Sequence, residues 1–556
     1  MNEPYSAKPW LRQYPAGWPA DLKPAFTSVP AALDDALHHC PNQAALHYFG
    51  RALSYAELDA AAGELAGWAS AQGVAIGDRV SIILQNVPGV AISTIAAWKL
   101  GAIPVPGNPM YKEAELSRIF ADCTPRLLVC HPEQQDAARR ALDGVGLTST
   151  PILLVDGSDG GGAVTPASLK TSAATDGPRL ADVIAGSSGP YSRFDPQPGD
   201  IGLMLYTSGT TGVPKAAMLR HDSIAFNAEA MGKWCEVVQG GRVLGLAPLF
   251  HITGFVSAFA LAIVAKAALI LHHRFDAAIV LDTIRRDRPT FTVGAITAFN
   301  ALLHCEDVAR EDFATFQRVY SGGAAIAPAL RDTIEERLGI TIHNCYGMTE
   351  TCSPTHGCPP DVDIPIDPVS GALSIGVPTF STEARVVDMS GEPVPAGTLG
   401  EIWMRGPQIM TGYWNKPDES DAALHDGWMR SGDVGFMDEE GWFYIVDRQK
   451  DMINASGFKV WPREVEDALH AHPAVREAAV VGAPDPYRGE TVIAFVSLRT
   501  GVAADEQALV AHCRERLAAY KSPRRVHILP DLPKTPTGKI QRNILRAELA
   551  ARTSQE

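Results

Sequence analysis

Short apolar runs alternate with helical patterns from about Pro41 to Val129. The run DRVSIIL (78–84) predicts a buried strand, VAISTIAAWKLG (90–101) predicts a helix that ends at Gly101, and AIPVPGNP (102–109) predicts the next strand and its turn. Strands that alternate with helices usually pair in parallel, because the helices cover the faces of the sheet. The pattern therefore predicts an α/β fold with mostly parallel sheets.

The length of the chain predicts more than one domain, since 556 residues exceed the size at which one hydrophobic core keeps growing. Beyond about residue 447 the pattern changes to short strands and charged amphipathic helices, such as 463–470, which is typical of a small α+β unit. The segment 156–200 is rich in Gly, Ser and Pro and predicts a loose surface connection. We therefore expect a large domain over 1–447, a hinge over 448–451 and a small domain over 452–556.

Charge and composition narrow the class of protein. The formal net charge of -15 argues against a nucleic-acid partner, whose binding rests on clustered Lys and Arg, and favours small molecules. The N-terminus lacks the basic start and apolar core of a secretory signal. The longest apolar region, 255–271, contains Lys266 and is shorter than the roughly twenty residues of a membrane-spanning helix, so it predicts a buried helix or strand pair and no transmembrane segment. The 9 cysteines include no CxxC pair, which indicates neither a zinc site nor a disulfide framework and fits a cytoplasmic protein.

The decapeptide YTSGTTGVPK (206–215) follows the apolar run 201–205 and combines small hydroxyl side chains, glycines and a terminal lysine. Hydroxyls and unpaired backbone N–H groups in one loop form an anion cradle, to which Lys215 adds a positive charge. A triphosphate is the anion that needs so many donors. The loop differs from the common P-loop, in which Ser or Thr directly follows the lysine, because Ala216 stands there.

The whole string resembles the phosphate-binding signature of the AMP-forming acyl-adenylate enzymes, which include acyl-CoA synthetases, peptide-synthetase adenylation domains and luciferases. The resemblance covers about residues 53–546 and implies a large N-terminal domain of two α/β subdomains with a β-barrel-like part, followed by a small, mobile α+β domain. It recurs in order at YGMTE (346–350), GEIWMRGPQIMTGYW (400–414), GWMRSGDVG (427–435), IVDRQKDMINASGFKVWPREVE (445–466) and PKTPTGKIQR (533–542).

The reaction follows from this resemblance. Such enzymes join a carboxylate to the AMP of ATP, release pyrophosphate and pass the acyl group to a thiol, so the protein's task is positioning and charge stabilisation. Lys539 in PTGKI matches the catalytic lysine, which bridges the carboxylate and the α-phosphate. Glu350 matches a Mg²⁺ ligand, Thr349 matches a phosphate contact, and Thr207 is a second expected metal ligand.

The nucleotide contacts are implied in the same way. Asp433 and Arg448 match groups that bind the ribose hydroxyls, and Tyr346 matches the ring that stacks on adenine. The hydroxyl-rich loop is expected to hold the β- and γ-phosphates, with Lys215 neutralising the departing pyrophosphate. The expected ATP contacts are Thr207, Ser208, Gly209, Thr210, Thr211, Gly212, Lys215, Gly323, Ala324, Ala325, Asn344, Tyr346, Asp433 and Arg448.

The resemblance also implies contacts to the other two substrates. Lys450 matches the hinge, about which the small domain is expected to rotate after adenylation so that Lys539 leaves the site. Gly457 then comes forward to line the tunnel for coenzyme A. The expected acyl contacts are His251 in APLFHITGF, Gly322 and Gly347, and those to coenzyme A are Ser456 and Gly457.

The identity of the acid is the least constrained prediction. The string DMINASGFKVWPREVED and the opening WLRQYP resemble bacterial long-chain fatty acid CoA ligases and favour a medium- to long-chain fatty acid. Aryl acid ligases of the 4-coumarate type share almost all of the motifs, so an aryl acid such as a coumarate or benzoate stays an alternative, as does an acyl carrier protein as the acceptor. An amino acid is disfavoured, since APLFHITGF lacks an aspartate for its ammonium group. ATP, Mg²⁺ and coenzyme A are the expected cofactors, and contact with a membrane surface and a homodimer are left open.

Overall fold

The computed structural model describes residues 5–169, 176–186, 189–207, 214–448, 451–455, 458–485, 489–499, 501–535 and 540–553. Its first part alternates strands and helices as the sequence predicts. In chain order this part contains α1 (Val29–His39), β1 (Ala44–Tyr48), β2 (Arg51–Ser54), α2 (Tyr55–Ala71), β3 (Arg79–Ile83), α3 (Pro88–Lys99), β4 (Ile103–Pro106), α4 (Glu113–Cys123), β5 (Leu127–Cys130), α5 (Gln135–Gly144), β6 (Ile152–Leu154) and α6 (Leu180–Ala185), with short 3₁₀ turns at Pro9–Gln13, Pro132–Gln134 and Ala167–Leu169.

A four-stranded parallel sheet forms the first layer, in the order β4-β3-β5-β6. The predicted strand, helix and turn at 78–109 are confirmed as β3, α3 and β4. Helix α3 begins with Pro88 in its first turn, where the missing N–H costs nothing. It ends before Gly101, whose φ of 68° is a left-handed conformation that glycine adopts without strain.

The second part of the chain builds most of a larger sheet. It contains β7 (Ile201–Thr207), β8 (Lys215–Arg220), α7 (His221–Trp234), β9 (Arg242–Leu244), α8 (Ile252–Gly254), a π-helix (Phe255–Ala260), α9 (Leu261–Val264), β10 (Ala268–Leu271), α10 (Ala277–Asp287), β11 (Phe291–Gly294), α11 (Ile296–Leu303), 3₁₀ turns at Arg310–Phe313 and Thr349–Thr351, β12 (Arg318–Ser321), α12 (Pro328–Leu338), β13 (Ile342–Met348), β14 (Ser353–Gly357) and β15 (Val377–Pro378). The apolar region 255–271 is thus a buried helical segment followed by a strand, as predicted.

This nine-stranded sheet has the order β15-β14-β13-β12-β11-β9-β10-β1-β2. Its central strands, from β13 to β1, pair in parallel, and the pairs at both edges are antiparallel. The first two strands of the chain therefore belong to this sheet and not to the four-stranded sheet that follows them in sequence. The carboxyl ends of β9, β11, β12 and β13 lie along one edge, which is where open α/β sheets bind ligands.

Two antiparallel sheets complete this part of the chain, and the larger of them is a half-barrel. One is three-stranded, in the order β18-β8-β7, and the other joins β16, β17, β20 and β19 in that order, with β21 paired to β20. Their strands include β16 (Glu383–Val387), β17 (Gly400–Arg405), β18 (Gly412–Tyr413), β19 (Leu424–His425), β20 (Trp428–Met437) and β21 (Phe443–Arg448), with α13 (Pro417–Ala423) between β18 and β19. The predicted large domain, with two α/β parts and a barrel-like part, is confirmed.

The C-terminal part is an α+β unit with its own core. Its sheet has the order β23-β22-β25-β24, with β26 paired to β25. Two hydrophobic clusters pack against this sheet: one contains the helix residues Val465 and Leu469, and the other contains Leu545. Its elements are β22 (Ile453–Ala455), β23 (Phe458–Val460), α14 (Pro462–His470), β24 (Val475–Asp485), β25 (Gly489–Leu498), α15 (Glu506–Arg516), β26 (Arg525–Ile528) and α16 (Arg542–Thr553). The predicted small α+β domain is confirmed as a fold.

The described residues of the segment 156–200 lie mostly at the surface, as predicted, but they also make ordered contacts that the composition does not predict. Among its described residues, α6 buries Leu180, and the Tyr48 hydroxyl donates to the Gly157 carbonyl at 2.5 Å. The Phe194 N–H donates to the Lys99 carbonyl at 2.8 Å. The glycines permit this packing, because they let the segment approach neighbouring backbone closely.

The N-terminal segment around residues 10–14 contacts both the half-barrel and the nine-stranded sheet. Trp10 is 1% exposed and packs edge-on against Phe443, while the Tyr14 hydroxyl donates to the Pro378 carbonyl at 2.7 Å. In the part of the chain that is described, no helix is both long and apolar enough to span a bilayer.

Candidate active site

The described residues of the predicted site lie at or beside the carboxyl edge of the nine-stranded sheet. His251 follows β9, the segment 322–325 follows β12, and the segment 346–350 ends β13 and continues into a 3₁₀ turn. The adjoining ends of β7 and β8, at Thr207 and Lys215, and the strand pair β20–β21 border the same edge through the contacts described below. Residues from five separate parts of the chain thus lie at or beside this edge.

The base of the hydroxyl-rich loop is a β-hairpin. Thr207 ends β7 and pairs in register with Lys215, which begins β8. The Tyr206 hydroxyl donates to Asp122 Oδ2 at 2.6 Å and so fixes the end of β7 to helix α4. Thr207 and Lys215, both predicted to contact the phosphates, are therefore paired across the two strands that flank the loop.

Glu350 and Lys215 share one neighbour, Tyr413. The Tyr413 hydroxyl donates to Glu350 Oε1 at 2.7 Å, and the Lys215 ammonium lies 5.3 Å from the centroid of the Tyr413 ring. The Met410 N–H also donates to the Glu350 carbonyl at 2.8 Å, which fixes the backbone of the 3₁₀ turn. The carboxylate expected to meet a cation and the ammonium expected to meet an anion are held within one small cluster.

A second tyrosine links the expected ribose and adenine contacts. The Tyr346 hydroxyl donates to Asp433 Oδ2 at 2.7 Å, and Asp433, on β20, is only 4% exposed. Asp433 pairs in register with Arg448 at the end of β21, whose side chain lies outside the described part of the chain. A carboxylate can accept more than one hydrogen bond, and sugar hydroxyls are donors of the suitable kind.

A buried histidine, His356, packs against the Tyr346 ring. The His356 ring lies 5.7 Å from that of Tyr346 and 4.8 Å from that of Phe443, and Thr355 Oγ1 lies 3.0 Å from His356 Nδ1. Among the described residues, His356 Nε2 has no hydrogen-bond partner. Burial lowers the pKa of His356 to about 3, so the imidazole is neutral at physiological pH.

The small residues beside β12 and β13 bring backbone close together. A Cβ on Gly322 would lie 2.9 Å from both the carbonyl oxygen and the Sγ atom of Cys345, so that position needs glycine. Burial raises the pKa of Cys345 to about 12, which makes its thiol unreactive. Asn344 is buried, and its side-chain NH₂ group donates to the Ser374 carbonyl at 2.9 Å. This donor therefore already holds the side chain in place within the protein.

Gly347 sits at a β-bulge between β13 and β14. A Cβ there would overlap the Ser353 carbonyl oxygen and lie 2.7 Å from Pro354 Cα. Just beyond the 3₁₀ turn, Cys352 and Ser353 have φ values of 54° and 85°, a left-handed conformation that is costly for residues with a side chain. Strained backbone of this kind clusters at functional sites.

His251 precedes a run of helical turns. Its Nδ1 accepts from the Thr253 N–H at 3.3 Å and so caps the short helix α8. The π-helix that follows is a type of segment that occurs often at functional sites. The side chain is partly exposed at the carboxyl edge, which is compatible with its predicted contact to an acid.

Comparison with known proteins identifies the family. The AMP-binding enzyme family matches residues 33–414, and the AMP-binding enzyme C-terminal domain matches residues 464–539. The chain belongs to the AMP-binding enzyme family. The expected resemblance to AMP-forming acyl-CoA synthetases is thereby confirmed.

Individual relatives cover nearly the whole of this AMP-binding enzyme. A long-chain-fatty-acid–CoA ligase of Bacillus subtilis (strain 168) is 35% identical over 98% of both chains. A feruloyl-CoA synthase of Amycolatopsis sp is 33% identical over 91% of this chain and 96% of its own length. The crystal structure of ATP-bound MatB from Rhodopseudomonas palustris superimposes with a TM-score of 0.83 and 30% identity, over 94% of this chain and 98% of that chain.

Several predicted residues of the AMP-binding enzyme lie outside the described part of the chain. These are Ser208, Gly209, Thr210, Thr211 and Gly212 in the loop, Lys450 in the hinge, Ser456 and Gly457 in the coenzyme A segment, and the catalytic lysine, Lys539. Their roles stay predictions.

Sequence reasoning missed Tyr413 and the Tyr206–Asp122 pair. Tyr413 lies within the motif string GEIWMRGPQIMTGYW, which carries the resemblance, but nothing in that string indicates contact with a glutamate 63 residues earlier. Tyr206 opens the hydroxyl-rich string and lies 84 residues from Asp122. The available sequence signal was that each tyrosine lies near an end of a motif string, where its hydroxyl could bond to a polar group.

The described residues fit a magnesium ion that arrives with a nucleotide. No group of three or more His, Cys, Asp or Glu side chains in the described part could hold a metal ion alone. Glu350 offers one carboxylate, whose Oε1 accepts from Tyr413 and whose second oxygen is a ligand type that Mg²⁺ accepts. Mg²⁺ in nucleotide sites takes one or two carboxylates and completes its shell with phosphate oxygens and water, which this donor set allows.

Proposed function

We propose that this AMP-binding enzyme is an ATP-dependent acid–thiol ligase that converts a carboxylic acid, with a medium- to long-chain fatty acid favoured, into its coenzyme A thioester. The observation that carries the proposal is the meeting of Lys215, Glu350, Tyr346 and Asp433 at one sheet edge through the two tyrosine hydroxyl bonds. Their chemistry suits their predicted contacts: Lys215 for phosphate, Glu350 for magnesium, Tyr346 for adenine and Asp433 for ribose.

The first half-reaction forms an acyl adenylate. A carboxylate oxygen attacks the α-phosphorus of ATP, the bond from that phosphorus to the bridging oxygen breaks, and pyrophosphate leaves. Lys215 neutralises the departing pyrophosphate, and Lys539 bridges the carboxylate and the α-phosphate. Mg²⁺, held at Glu350, would offset phosphate charge. Asp433 and Tyr346 fix the nucleoside, so that the reacting atoms stay aligned.

The second half-reaction forms the thioester. The sulfur of coenzyme A attacks the acyl carbon, the carbon–oxygen bond to AMP breaks, and the thiol proton is lost to solvent or base. We place the domain boundary at residues 448–451, so that rotation there removes Lys539 and brings Ser456 and Gly457 to the thiol. The observed pairing of Asp433 with Arg448 sets the last strand before that boundary directly against the expected ribose site.

Two relatives support different acids. The Bacillus subtilis relative, named for long-chain fatty acids, aligns with nearly the entire chain, which supports a fatty acid. The Amycolatopsis relative, named for feruloyl-CoA, supports an aryl acid as the second candidate. The nucleotide chemistry is the same in both cases.

The proposal is tested by measuring AMP and thioester formation with MgATP and coenzyme A across acetate, octanoate, palmitate, benzoate, cinnamate and several amino acids. We expect octanoate or palmitate to give the highest kcat/KM. Preference for cinnamate or benzoate would select the aryl alternative, and a carrier protein that replaced coenzyme A as the preferred acceptor would overturn the choice of thiol. Failure to form AMP with every acid would overturn the proposed reaction.

A lysine substitution tests the role of Lys539. Lys539→Ala should reduce acyl-adenylate formation, measured as ATP–pyrophosphate exchange, by at least about a hundredfold, in line with the loss of one transition-state contact. Thioester formation from chemically prepared acyl adenylate should be much less affected. Lys112→Ala removes an exposed lysine and serves as the matched control. Equal exchange rates in Lys539→Ala and wild type would refute the assignment.

A further inference from the structure

Tyr413 occupies a fixed position between two expected phosphate-binding groups. It lies on the two-residue strand β18 and pairs with Ala217 of β8, and its N–H donates to Ser420 Oγ at 2.8 Å. The side chain is 8% exposed. Its backbone is thus held from both sides, and its ring has little freedom to move.

Each end of the Tyr413 side chain contacts a different charge. The hydroxyl donates to Glu350 Oε1 at 2.7 Å, and the ring face meets the Lys215 ammonium, whose nitrogen is 5.3 Å from the ring centroid. An ionised carboxylate can only accept hydrogen bonds, so the phenol is the donor in this pair.

This arrangement has a geometric consequence for both charged groups. A carboxylate that accepts at one oxygen from a fixed phenol cannot rotate freely, so its second oxygen has a defined direction. An ammonium on an aromatic face is attracted to the ring without forming a hydrogen bond there, so its N–H groups stay available to an anion. One buried ring can therefore orient a metal ligand and a phosphate ligand together.

We propose that Tyr413 is a positioning residue that holds the Glu350 carboxylate toward the metal of a bound metal–ATP complex and keeps the Lys215 ammonium beside its phosphates. The inference rests on the proposed function, because it takes Glu350 as the metal contact. It adds a residue that neither the motif assignments nor the family resemblance named. Tyr413 does not touch the reacting atoms and acts only through its two neighbours.

Two substitutions separate the two contacts. Tyr413→Phe removes the hydroxyl and keeps the ring, so only Glu350 is affected. Tyr413→Leu removes both contacts. Tyr444→Phe is the matched control, because the Tyr444 hydroxyl also donates to a carboxylate, Asp438 Oδ2 at 3.1 Å, outside this cluster.

The decisive measurement is Mn²⁺ binding to the protein–ATP complex, followed by electron paramagnetic resonance. We expect Tyr413→Phe to weaken Mn²⁺ binding by about ten- to a hundredfold, the usual effect of removing an outer hydrogen bond to a metal ligand. ATP affinity without metal, measured by calorimetry in EDTA, should match wild type, and the KM for the acid should not change. Tyr413→Leu should in addition weaken inhibition by pyrophosphate. Tyr444→Phe should match wild type in all of these.

Wild-type Mn²⁺ affinity in Tyr413→Phe would overturn the inference, as would equal increases in the KM for acid and for ATP, which would indicate a general packing role. Tyr413→Phe changes one atom, and its melting temperature, checked beside that of Tyr444→Phe, controls for folding. If wild-type protein formed no AMP and bound no Mn²⁺ with ATP, the proposed function itself would fail. The two failures are therefore distinguishable.

Discussion

Acid should destabilise this protein through His356, and the size of the effect follows from its burial. The folded-state pKa of His356 is lowered to about 3 from an ordinary value of 6.5, because burial penalises the charged ring. Between about pH 6.5 and pH 3, the His356 side chain therefore binds a proton in the unfolded chain but not in the folded chain. Stability from this group is complete above pH 6.5 and is lost as the pH falls from 6.5 toward 3.

The loss at pH 5 is about 2 kcal/mol, since one pKa unit corresponds to about 1.36 kcal/mol and pH 5 lies about 1.5 units below the unfolded value. His221 and His273, each with a pKa lowered to about 4, add similar losses to every variant. Only a comparison of variants therefore isolates His356. His356→Asn removes the titrating ring while its amide can still bond the Thr355 hydroxyl, which lies 3.0 Å from Nδ1.

The assay is urea unfolding at pH 7.5 and pH 5.0, followed by tryptophan fluorescence. Between these values wild type should lose about 2 kcal/mol more than His356→Asn. His304→Asn, which alters an exposed histidine, should lose as much as wild type. Equal losses in wild type and His356→Asn would refute the reasoning.

Two further substitutions test the nucleotide site. Asp433→Asn replaces the charged acceptor of the Tyr346 hydroxyl, and because bonds to charged groups contribute about 1.5–3 kcal/mol, the KM for ATP should rise at least about tenfold with little change for the acid; an equal rise for both substrates in steady-state AMP formation would contradict this. Gly347→Ala should lower stability by about 1–3 kcal/mol and abolish stabilisation by ATP in thermal melts, because its Cβ would overlap the Ser353 carbonyl oxygen, and a melting curve like that of wild type would show that the bulge can relax.

The strands and helices that could be predicted from the sequence are those with strong local signals. Strand β3 and helix α3 follow from apolar runs and from Gly101, although α3 is buried on every side and so has no polar face to mark it. The sheet to which each strand belongs could not be predicted, because β1 pairs with β2 and with β10, more than 200 residues along, and neither β1 nor β2 pairs with β3. For the segment 156–200 the composition predicts the surface position but not the contacts of its described residues, since glycine marks close backbone approach as readily as a loose loop.

The nucleotide-site residues were identified from motif strings, each of which is local. The bonds between those strings are not local: Tyr346 meets Asp433 across 87 residues, and Tyr413 meets Glu350 across 63. No hydrophobic period or spacing predicts which tyrosine donates to which carboxylate. Strand β18 is only two residues long and carries no pattern of its own, so Tyr413 could be recognised only after folding.

These internal bonds separate the nucleotide chemistry from the choice of acid. Tyr346, Asp433, Glu350 and Tyr413 are held by one another and by backbone, so they present the same charges whatever acid lies beside them. The predicted acyl residue Gly322 instead faces the Cys345 side chain, which fills the space that a Cβ would need. Changes at such positions can alter the shape offered to the acid without disturbing either tyrosine bond. This independence gives a physical reason why relatives named for fatty and for aryl acids can both align with nearly the whole chain.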